Sequence, residues 1–183
     1  MLVSRAFYGT DIRSAGSGNI GAANALRTLG KRGAVAVLVL DALKGYAPTL
    51  VAMALGGTIP AVLAAFASIA GHCWSPLLGF KGGKGVATLF GTLFALWWPA
   101  AAAFALVWIA TVLACGYASA GSMLASIAMG PVLWFGMIPS WVGLAYGLAS
   151  ASIIVYRHRE NLDRLRHGTE NRLSLLKAKR AND

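Results

Sequence analysis

Long apolar runs, broken by short polar segments, occupy most of this chain. Between Gly45 and Tyr156 the only charged side chains are Lys81 and Lys84. Glycine, proline or polar residues bound six apolar runs, at residues 34–55, 59–79, 86–98, 100–115, 120–137 and 139–155. Stretches of this kind are typical of transmembrane helices. The pattern therefore predicts an all-α fold: a polytopic integral membrane helical bundle of about six transmembrane helices.

The number of spans depends on residues 86–113, which could also form one long helix bent at Pro99. With two helices there, the basic segments all lie on the cytoplasmic side, as the positive-inside rule requires, and the uncharged loops lie opposite. A single helix would place the arginines of the tail on the side opposite the N-terminal cluster. We therefore expect one domain, residues 1–183, with a cytoplasmic polar segment (1–33), membrane helices (34–156) and a cytoplasmic basic tail (157–183).

Composition supports a lipid environment. Of the 183 residues 57% are hydrophobic and only 12% are charged, whereas soluble domains carry roughly 25% charged residues. The net charge of +10 comes from lysines and arginines that flank the apolar runs. A nucleic-acid-binding protein would carry such charge on a folded soluble face, so we expect no nucleic acid as a partner. Cys73 and Cys115 lack the spacing of a metal site or a disulfide framework.

The first polar segment, Gly16 to Arg27, contains the pattern G-x-G-x-x-G. No strand precedes it, and Asp41 lies inside an apolar helix, so it is not a dinucleotide-binding fingerprint. Its glycines could still expose backbone N–H groups to an anion, and Arg27 offers a bidentate fork for phosphate. The phosphate-binding candidates in this segment are Gly16, Gly18, Asn19, Gly21 and Asn24, together with Ser17 and Arg27. The alternative is an ordinary polar loop that caps a helix.

The second polar segment runs from Gly71-His72 to Lys81-Gly82-Gly83-Lys84-Gly85. It is not a P-loop, because the glycine spacing is wrong and Val86 follows in place of Ser or Thr. Two lysines and three glycines before a helix nevertheless place cations, bare amides and a helix N-terminus together, which favours an anion site. Alternatively, the lysines only obey the positive-inside rule, and His72 is a structural histidine.

The third polar segment is the tail from Tyr156 to Asn171. Helical spacing places His158, Asn161 and Leu165 along one face. A basic juxtamembrane helix attracted to anionic lipid would have a similar composition. The sequence alone leaves both interpretations open.

Asp41 and Lys44 stand three residues apart within an otherwise apolar helix. Unpaired charges there would be costly, so we expect them to pair or to face a polar cavity. Intramembrane charges and glycine-rich helix breaks also occur in small transporters, which are the main rival class. The polar segments lie beside basic loops at one surface, however, and this position favours interfacial chemistry. A membrane scaffold, the third class, would not need the glycines around Lys84.

Taken together, the three segments resemble the motifs of the acyl-phosphate-dependent glycerol-3-phosphate acyltransferase family, PlsY. Asp11-Ile12-Arg13 with Gly16 to Arg27 looks like the first motif, and Gly71-His72 with Lys81 to Thr88 looks like the second. The residues that match the third motif are His158, Asn161, Arg164, Leu165, Gly168 and Glu170. The resemblance covers nearly the whole chain.

This resemblance implies an acyltransferase that moves a fatty acyl group from acyl phosphate to the sn-1 hydroxyl of glycerol 3-phosphate. The products would be lysophosphatidic acid and phosphate, in the first acylation step of bacterial phospholipid synthesis. It implies no acyl-CoA, no cofactor and no metal. It also implies a multi-pass protein of the bacterial cytoplasmic (inner) membrane with its active site facing the cytoplasm. Membrane lipid and the soluble acyl-ACP:phosphate acyltransferase (PlsX), which makes the donor, are the implied partners.

Residue roles follow from the same resemblance. Ser17, Arg27, His158 and Asn161 match residues that the family needs for activity. The loop Lys81, Gly82, Gly83, Lys84 and Gly85 matches the part assigned to glycerol 3-phosphate, with His72 beside it. Glu170 matches a structural glutamate, and Asp41 and Lys44 are expected to be structural as well. Family members usually begin with an additional helix, in whose place only Met1 to Gly9 stands here.

Overall fold

Helices lie at all six positions at which the apolar runs predicted them. A computed structural model describes residues 4, 8–137 and 139–173. The described α-helices are α1 (Ala22–Thr28), α2 (Gly30–Gly56), α3 (Thr58–Cys73), α4 (Val86–Leu96), α5 (Trp98–Cys115), α6 (Ala118–Gly136), α7 (Ser140–Arg157) and α8 (Arg159–Arg166). Part of the predicted polar segment, at residues 1–3 and 5–7, and residues 174–183 of the predicted basic tail lie outside the described residues. The all-α fold is confirmed.

Four stretches of the described chain are long and apolar enough to cross a membrane: Gly30–Gly56, Thr58–Leu78, Trp98–Cys115 and Ala118–Gly136. At 1.5 Å per residue α2 is about 40 Å long, which exceeds the hydrocarbon thickness of about 30 Å. The protein is thus a multi-pass membrane protein. That exactly six helices cross the bilayer stays a prediction, because α4 has only 11 residues.

The region 86–113 forms two helices and not one. Trp97 between them is extended, with φ −165° and ψ 100°. Pro99 lies in the first turn of α5, where its missing N–H costs no hydrogen bond. The separate third and fourth helices of the sequence prediction are therefore confirmed.

Helix α3 is shorter than predicted. It ends at Cys73, six residues before the expected boundary at residue 79, because Pro76 disfavours helical geometry in the residue before it and cannot itself continue a helix. A short 3₁₀ turn at Pro76–Leu78 follows. Residues 74–79, which were predicted to be helical, therefore belong to the second polar segment.

The chain divides into two compact units, Met1–Leu96 and Trp97–Asp183. The single domain spanning residues 1–183 stays a prediction. In the first unit, α2 packs against α1, α3 and α4. A small apolar cluster holds the first polar segment against α2, formed by Ile12, Ile20, Ala25, Ala34 and Val37.

Glycines allow α2 and α4 to approach closely. A Cβ at Gly45 of α2 would collide with the Thr88 carbonyl of α4, and a Cβ at Gly91 of α4 would collide with the Ala42 carbonyl of α2. Small residues at such crossings let helix backbones meet in lipid, where little hydrophobic force draws helices together. Gly45 and Gly91 therefore permit close packing of α2 and α4.

The second unit is built on α6, which packs against α5 and α7, while α8 contacts α6 and α7. Gly130 and Gly147 face each other between α6 and α7, and a Cβ at Gly147 would lie 2.7 Å from the Gly130 Cα. The backbone N–H of Leu173 donates to the Gly116 carbonyl at 2.9 Å. This bond holds the segment after α8 against the α5–α6 connection.

Candidate functional site

The first polar segment is organised by one buried amide. Asn24 on α1 is 1% exposed, and its Nδ2 lies within 2.8–3.1 Å of the carbonyls of Ile12, Ala15 and Asn19. Its Oδ1 accepts a hydrogen bond from the backbone N–H of Ser17 at 2.8 Å. Asn24 therefore shapes the loop that carries the first motif from the inside.

Glycine is required in this loop by backbone geometry and close approach. Gly16 and Gly18 have φ of +63° and +68°, values that side-chain-bearing residues rarely adopt. A Cβ at Gly16 would also collide with Oδ1 of Asn24. The loop keeps this shape only with glycine at both positions.

Two candidate side chains of the first motif take no part in this internal network. Ser17 and Arg27 are both exposed, and Arg27 lies in the last turn of α1. The arrangement pairs a rigid backbone with a hydroxyl and a guanidinium that are accessible to an anion. Both residues are thus available for the roles expected of them.

The second polar segment folds back onto the end of α3. The N–H of Gly82 donates to the Cys73 carbonyl at 3.2 Å, and the N–H of Gly83 donates to the His72 carbonyl at 3.1 Å. A Cβ at Gly82 would collide with the His72 carbonyl, and a Cβ at Gly83 would collide with the His72 ring. The loop therefore closes tightly over the last turn of α3.

These contacts correct one expectation about both glycine-rich segments. The amides were expected to be bare and to face an anion, but those of Ser17, Gly18, Gly21, Gly82 and Gly83 all donate to groups of the same chain. The physical reason is close packing: glycines admit the carbonyls and side chains that accept these bonds. That the named glycines line a substrate site stays a prediction. Because their amides are already bonded, any contact with an anion there would come from neighbouring side chains.

Asp41 and Lys44 pair with each other on α2, as expected. Lys44 Nζ lies 2.5 Å from Asp41 Oδ1 and 3.3 Å from His72 Nδ1 on α3. Asp41 is 7% exposed and His72 8% exposed, whereas the Lys44 side chain is 45% exposed. A half-exposed ammonium is therefore held by a buried carboxylate and a buried imidazole.

A cavity of about 270 Å³ opens at this cluster. Its lining comes from the first motif, from α2, from α3 and from the second motif, namely Ile20, Lys44, Ser68, Gly71, His72, Ser75 and Leu78. Ligand pockets for drug-sized molecules span roughly 300–1,000 Å³. The cavity therefore suits a small ligand, and the Lys44 ammonium supplies a hydrogen-bond donor in its wall.

The third motif lies in the second unit, where Glu170 accepts three hydrogen bonds. Its Oε1 accepts from Ser119 Oγ at 2.9 Å and from Asn161 Nδ2 at 2.6 Å, and its Oε2 accepts from Arg164 Nε at 2.8 Å. Burial acts to raise the pKa of Glu170, but these hydrogen bonds and the charge of Arg164 together lower the pKa below its ordinary value. Glu170 is therefore a carboxylate that ties the segment after α8 to α6 and α8.

His158 lies at the junction of α7 and α8 and is 3% exposed. Its Nδ1 is 2.8 Å from the Ile154 carbonyl. A carbonyl only accepts, so Nδ1 carries a proton and donates it to this hydrogen bond. The bond holds the imidazole ring against the end of α7.

Some residues of these arrangements were not singled out from the sequence. Ser119 contacts Glu170 across 51 positions of the chain, and no local pattern marks it. Ser68 and Ile20 line the cavity but look like ordinary residues of an apolar helix and a loop. Arg164 was part of the third motif, and its role beside Glu170 follows only from the fold.

Comparison with known proteins shows the family to which this chain is similar. The sequence model of the family described as glycerol-3-phosphate acyltransferase matches residues 1–168. The chain is 44% identical over 173 residues to the glycerol-3-phosphate acyltransferase of Cereibacter sphaeroides, a match that covers 94% of this chain and 81% of that protein. It is also 44% identical over 173 residues to glycerol-3-phosphate acyltransferase 2 of Moorella thermoacetica, covering 94% and 88%.

Two crystal structures of PlsY (YgiH), an integral membrane glycerol 3-phosphate acyltransferase, have a similar fold. The glycerol 3-phosphate form matches with a TM-score of 0.90 and 38% identity, over 98% of this chain and 90% of that chain. The lysophosphatidic acid form matches with a TM-score of 0.83 and 40% identity, over 87% and 82%. The likeness therefore extends over almost all of the sequence.

Proposed function

The chain belongs to the PlsY family of glycerol-3-phosphate acyltransferases, and from this membership we propose that it transfers a fatty acyl group from acyl phosphate to the sn-1 hydroxyl of glycerol 3-phosphate. The products are lysophosphatidic acid and inorganic phosphate. The reaction is the first acylation of bacterial phospholipid synthesis, at the cytoplasmic face of the inner membrane. The donor comes from a soluble acyl-ACP:phosphate acyltransferase (PlsX), which is the proposed partner.

One observation carries this proposal: residues from the first and second motifs border the same small cavity, beside the Lys44 ammonium. Both substrates and one product of the proposed reaction carry phosphate. A cavity of about 270 Å³ with a lysine ammonium in its wall is compatible with a phosphorylated metabolite of the size of glycerol 3-phosphate. The multi-pass fold gives the acyl chain access from lipid.

The proposed chemistry needs little from the protein beyond positioning and charge. The sn-1 hydroxyl oxygen attacks the acyl carbonyl carbon, the bond from that carbon to the phosphate oxygen breaks, and inorganic phosphate leaves with the electron pair. The hydroxyl proton passes to a phosphate oxygen of the substrate. Because acyl phosphate is already activated, orientation of the two reactants and stabilisation of negative charge account for most of the acceleration.

The proposed roles follow from exposure and charge. Arg27 is exposed at the end of α1 and binds phosphate through its guanidinium, while Ser17 orients the reacting group. Lys81 and Lys84 attract the phosphate of glycerol 3-phosphate to the second-motif loop. For His158 and Asn161, which are buried, the match of the third motif to the family supports a role in activity, and Asn161 is oriented by its hydrogen bond to Glu170.

The reaction is tested by the choice of donor. The purified protein, in detergent or lipid, is incubated with glycerol 3-phosphate and either palmitoyl phosphate or palmitoyl-CoA, and both phosphate release and lysophosphatidic acid are measured. We expect product only from palmitoyl phosphate. Product from palmitoyl-CoA alone would overturn the proposed donor.

The proposed site is tested with matched arginine variants. Arg27→Ala should lose at least about a hundredfold in kcat/KM, since one charge-stabilising donor is typically worth that much, while the thermal midpoint stays near that of wild type. Arg32→Ala removes an exposed arginine at the start of α2 and is the control. Equal activity of the two variants would remove Arg27 from the site.

A further inference from the structure

The paired charges on α2 lie next to the second-motif loop and contact it through one histidine. We propose that Asp41, Lys44 and His72 form a positioning cluster that fixes the glycine loop at residues 81–85. The kinetic part of this proposal rests on the proposed function, in which that loop holds glycerol 3-phosphate. The structural part stands on the contacts alone.

The first step is the bond from Lys44 to His72. An ammonium group only donates, so His72 Nδ1, 3.3 Å from Lys44 Nζ, must accept, and the neutral ring then carries its proton on Nε2. Asp41 Oδ1 lies 3.7 Å from the same Nδ1, too far for a hydrogen bond. Lys44 therefore links the carboxylate to the imidazole and selects the ring tautomer.

The second step is the contact from His72 to the loop. The Nε2 edge of the ring faces Gly83 so closely that a Cβ at Gly83 would collide with it. The His72 carbonyl accepts the Gly83 N–H, and the next carbonyl, that of Cys73, accepts the Gly82 N–H. The ring and the last carbonyls of α3 thus form the surface against which the loop closes.

The third step is the burial of Asp41. Its side chain is 11% exposed and the His72 side chain 4% exposed, so neither presents much surface to a ligand. A buried carboxylate needs its counter-ion, and removing one partner of such a pair is strongly destabilising. Asp41 therefore keeps Lys44 in the position from which its ammonium donates to His72. The three residues together hold the loop, and Lys44, whose side chain is 45% exposed, is the one member with much surface of its own.

Amide hydrogen exchange tests the structural part without any need for turnover. In the variant Asp41→Asn with Lys44→Met, which removes both charges together, exchange of the Gly82 and Gly83 amides should rise at least about tenfold, since local opening is no longer opposed. Peptides from α6 should exchange as in wild type. The control is Lys31→Met, an exposed lysine at the start of the same helix. Loop exchange equal to that of this control would overturn the proposal.

A double-mutant cycle tests whether His72 acts through Gly83. Gly83→Ala and His72→Ala should each raise the KM for glycerol 3-phosphate about tenfold, with kcat within about threefold and the KM for palmitoyl phosphate unchanged. The double variant should be no worse than His72→Ala, because the vacated ring space accepts the new methyl group, and residues in contact are non-additive. If the KM increases of the two single variants instead multiply in the double variant, His72 acts independently of the loop, and the proposal is overturned.

The two experiments separate this proposal from the proposed function. A protein inactive with both acyl donors, yet with loop exchange that depends on Lys44, would refute the assigned reaction and leave the positioning cluster standing. An active protein whose loop exchange ignores Lys44 would refute the positioning cluster and leave the reaction standing.

Discussion

Replacement of Glu170 by alanine tests the arrangement that holds the third motif. The carboxylate is 7% exposed and accepts hydrogen bonds from Ser119, Asn161 and Arg164. Its removal leaves two donors on side chains that are only 6% exposed, Ser119 and Asn161. Arg164 is 36% exposed, so water replaces its lost partner.

The expected loss of folding stability in Glu170→Ala follows from those exposures. A buried donor left without a partner costs about 1–3 kcal/mol, and an exposed ion pair contributes about 0–1 kcal/mol. Two buried donors and one half-exposed pair give a loss of about 3 kcal/mol, because part of each cost is relieved by local rearrangement. For a chain of this size, that loss lowers the unfolding midpoint by about 6–12 °C.

The assay is thermal unfolding of the purified protein in one detergent, followed by tryptophan fluorescence. Glu160→Ala removes an exposed acidic side chain from the same helix α8 and is the matched control, with an expected shift below about 2 °C. Glu170→Gln should fall between the two, since its amide oxygen still accepts while its NH₂ faces Arg164. A midpoint for Glu170→Ala equal to that of Glu160→Ala would refute the role assigned to the network.

Four further outcomes follow from the structure. Burial acts to raise the pKa of Glu170, yet its hydrogen bonds lower the pKa below the ordinary carboxyl value of about 4.3. The contribution of Glu170 to stability is therefore complete above about pH 4.3 and is lost as the pH falls through the lowered pKa. Glu170→Gln should remove this acid-dependent loss from unfolding curves between about pH 3 and pH 7. Gly45→Ala should destabilise by about 1–3 kcal/mol because its methyl meets the Thr88 carbonyl, whereas Gly71→Ala, which has open space around it, should leave the midpoint unchanged. Asn24→Ala should cost about 2–3 kcal/mol, since several buried bonds are lost together, and the measurement is again the midpoint. Thr88→Val should raise stability by about 1 kcal/mol, because the Thr88 hydroxyl is buried and has no hydrogen-bond partner among the described residues; a lower midpoint would show that the hydroxyl is satisfied.

The helices were predictable because almost no charge interrupts the apolar runs. The ends of the helices were less predictable, because hydropathy measures apolar character and not backbone geometry. Helix α2 begins at Gly30, before its first apolar residue, and α3 ends at Cys73 because of Pro76. The break at Trp97 was predictable from Pro99 together with the placement of basic loops on one side.

The motif segments were identifiable from sequence, but their internal contacts were not. The bonds of Asn24 reach residues 5 to 12 positions away, and the bond from Ser119 to Glu170 spans 51 positions. Such contacts depend on tertiary packing, which local spacing does not encode. The pairing of Asp41 with Lys44 was predictable, because two opposite charges in one apolar helix have few other partners, whereas the contact with His72 needed the fold.

The internal hydrogen bonds of the two glycine-rich loops have a consequence for kinetics. Because Asn24 and the last carbonyls of α3 hold these loops, their conformational entropy is lost during folding and not during ligand capture. A phosphorylated ligand then meets a preformed surface, so its association rate constant is governed by diffusion and by attraction to exposed cations. That attraction weakens as salt shortens the Debye length. The association rate should therefore fall with ionic strength, while the unimolecular steps that follow stay nearly constant.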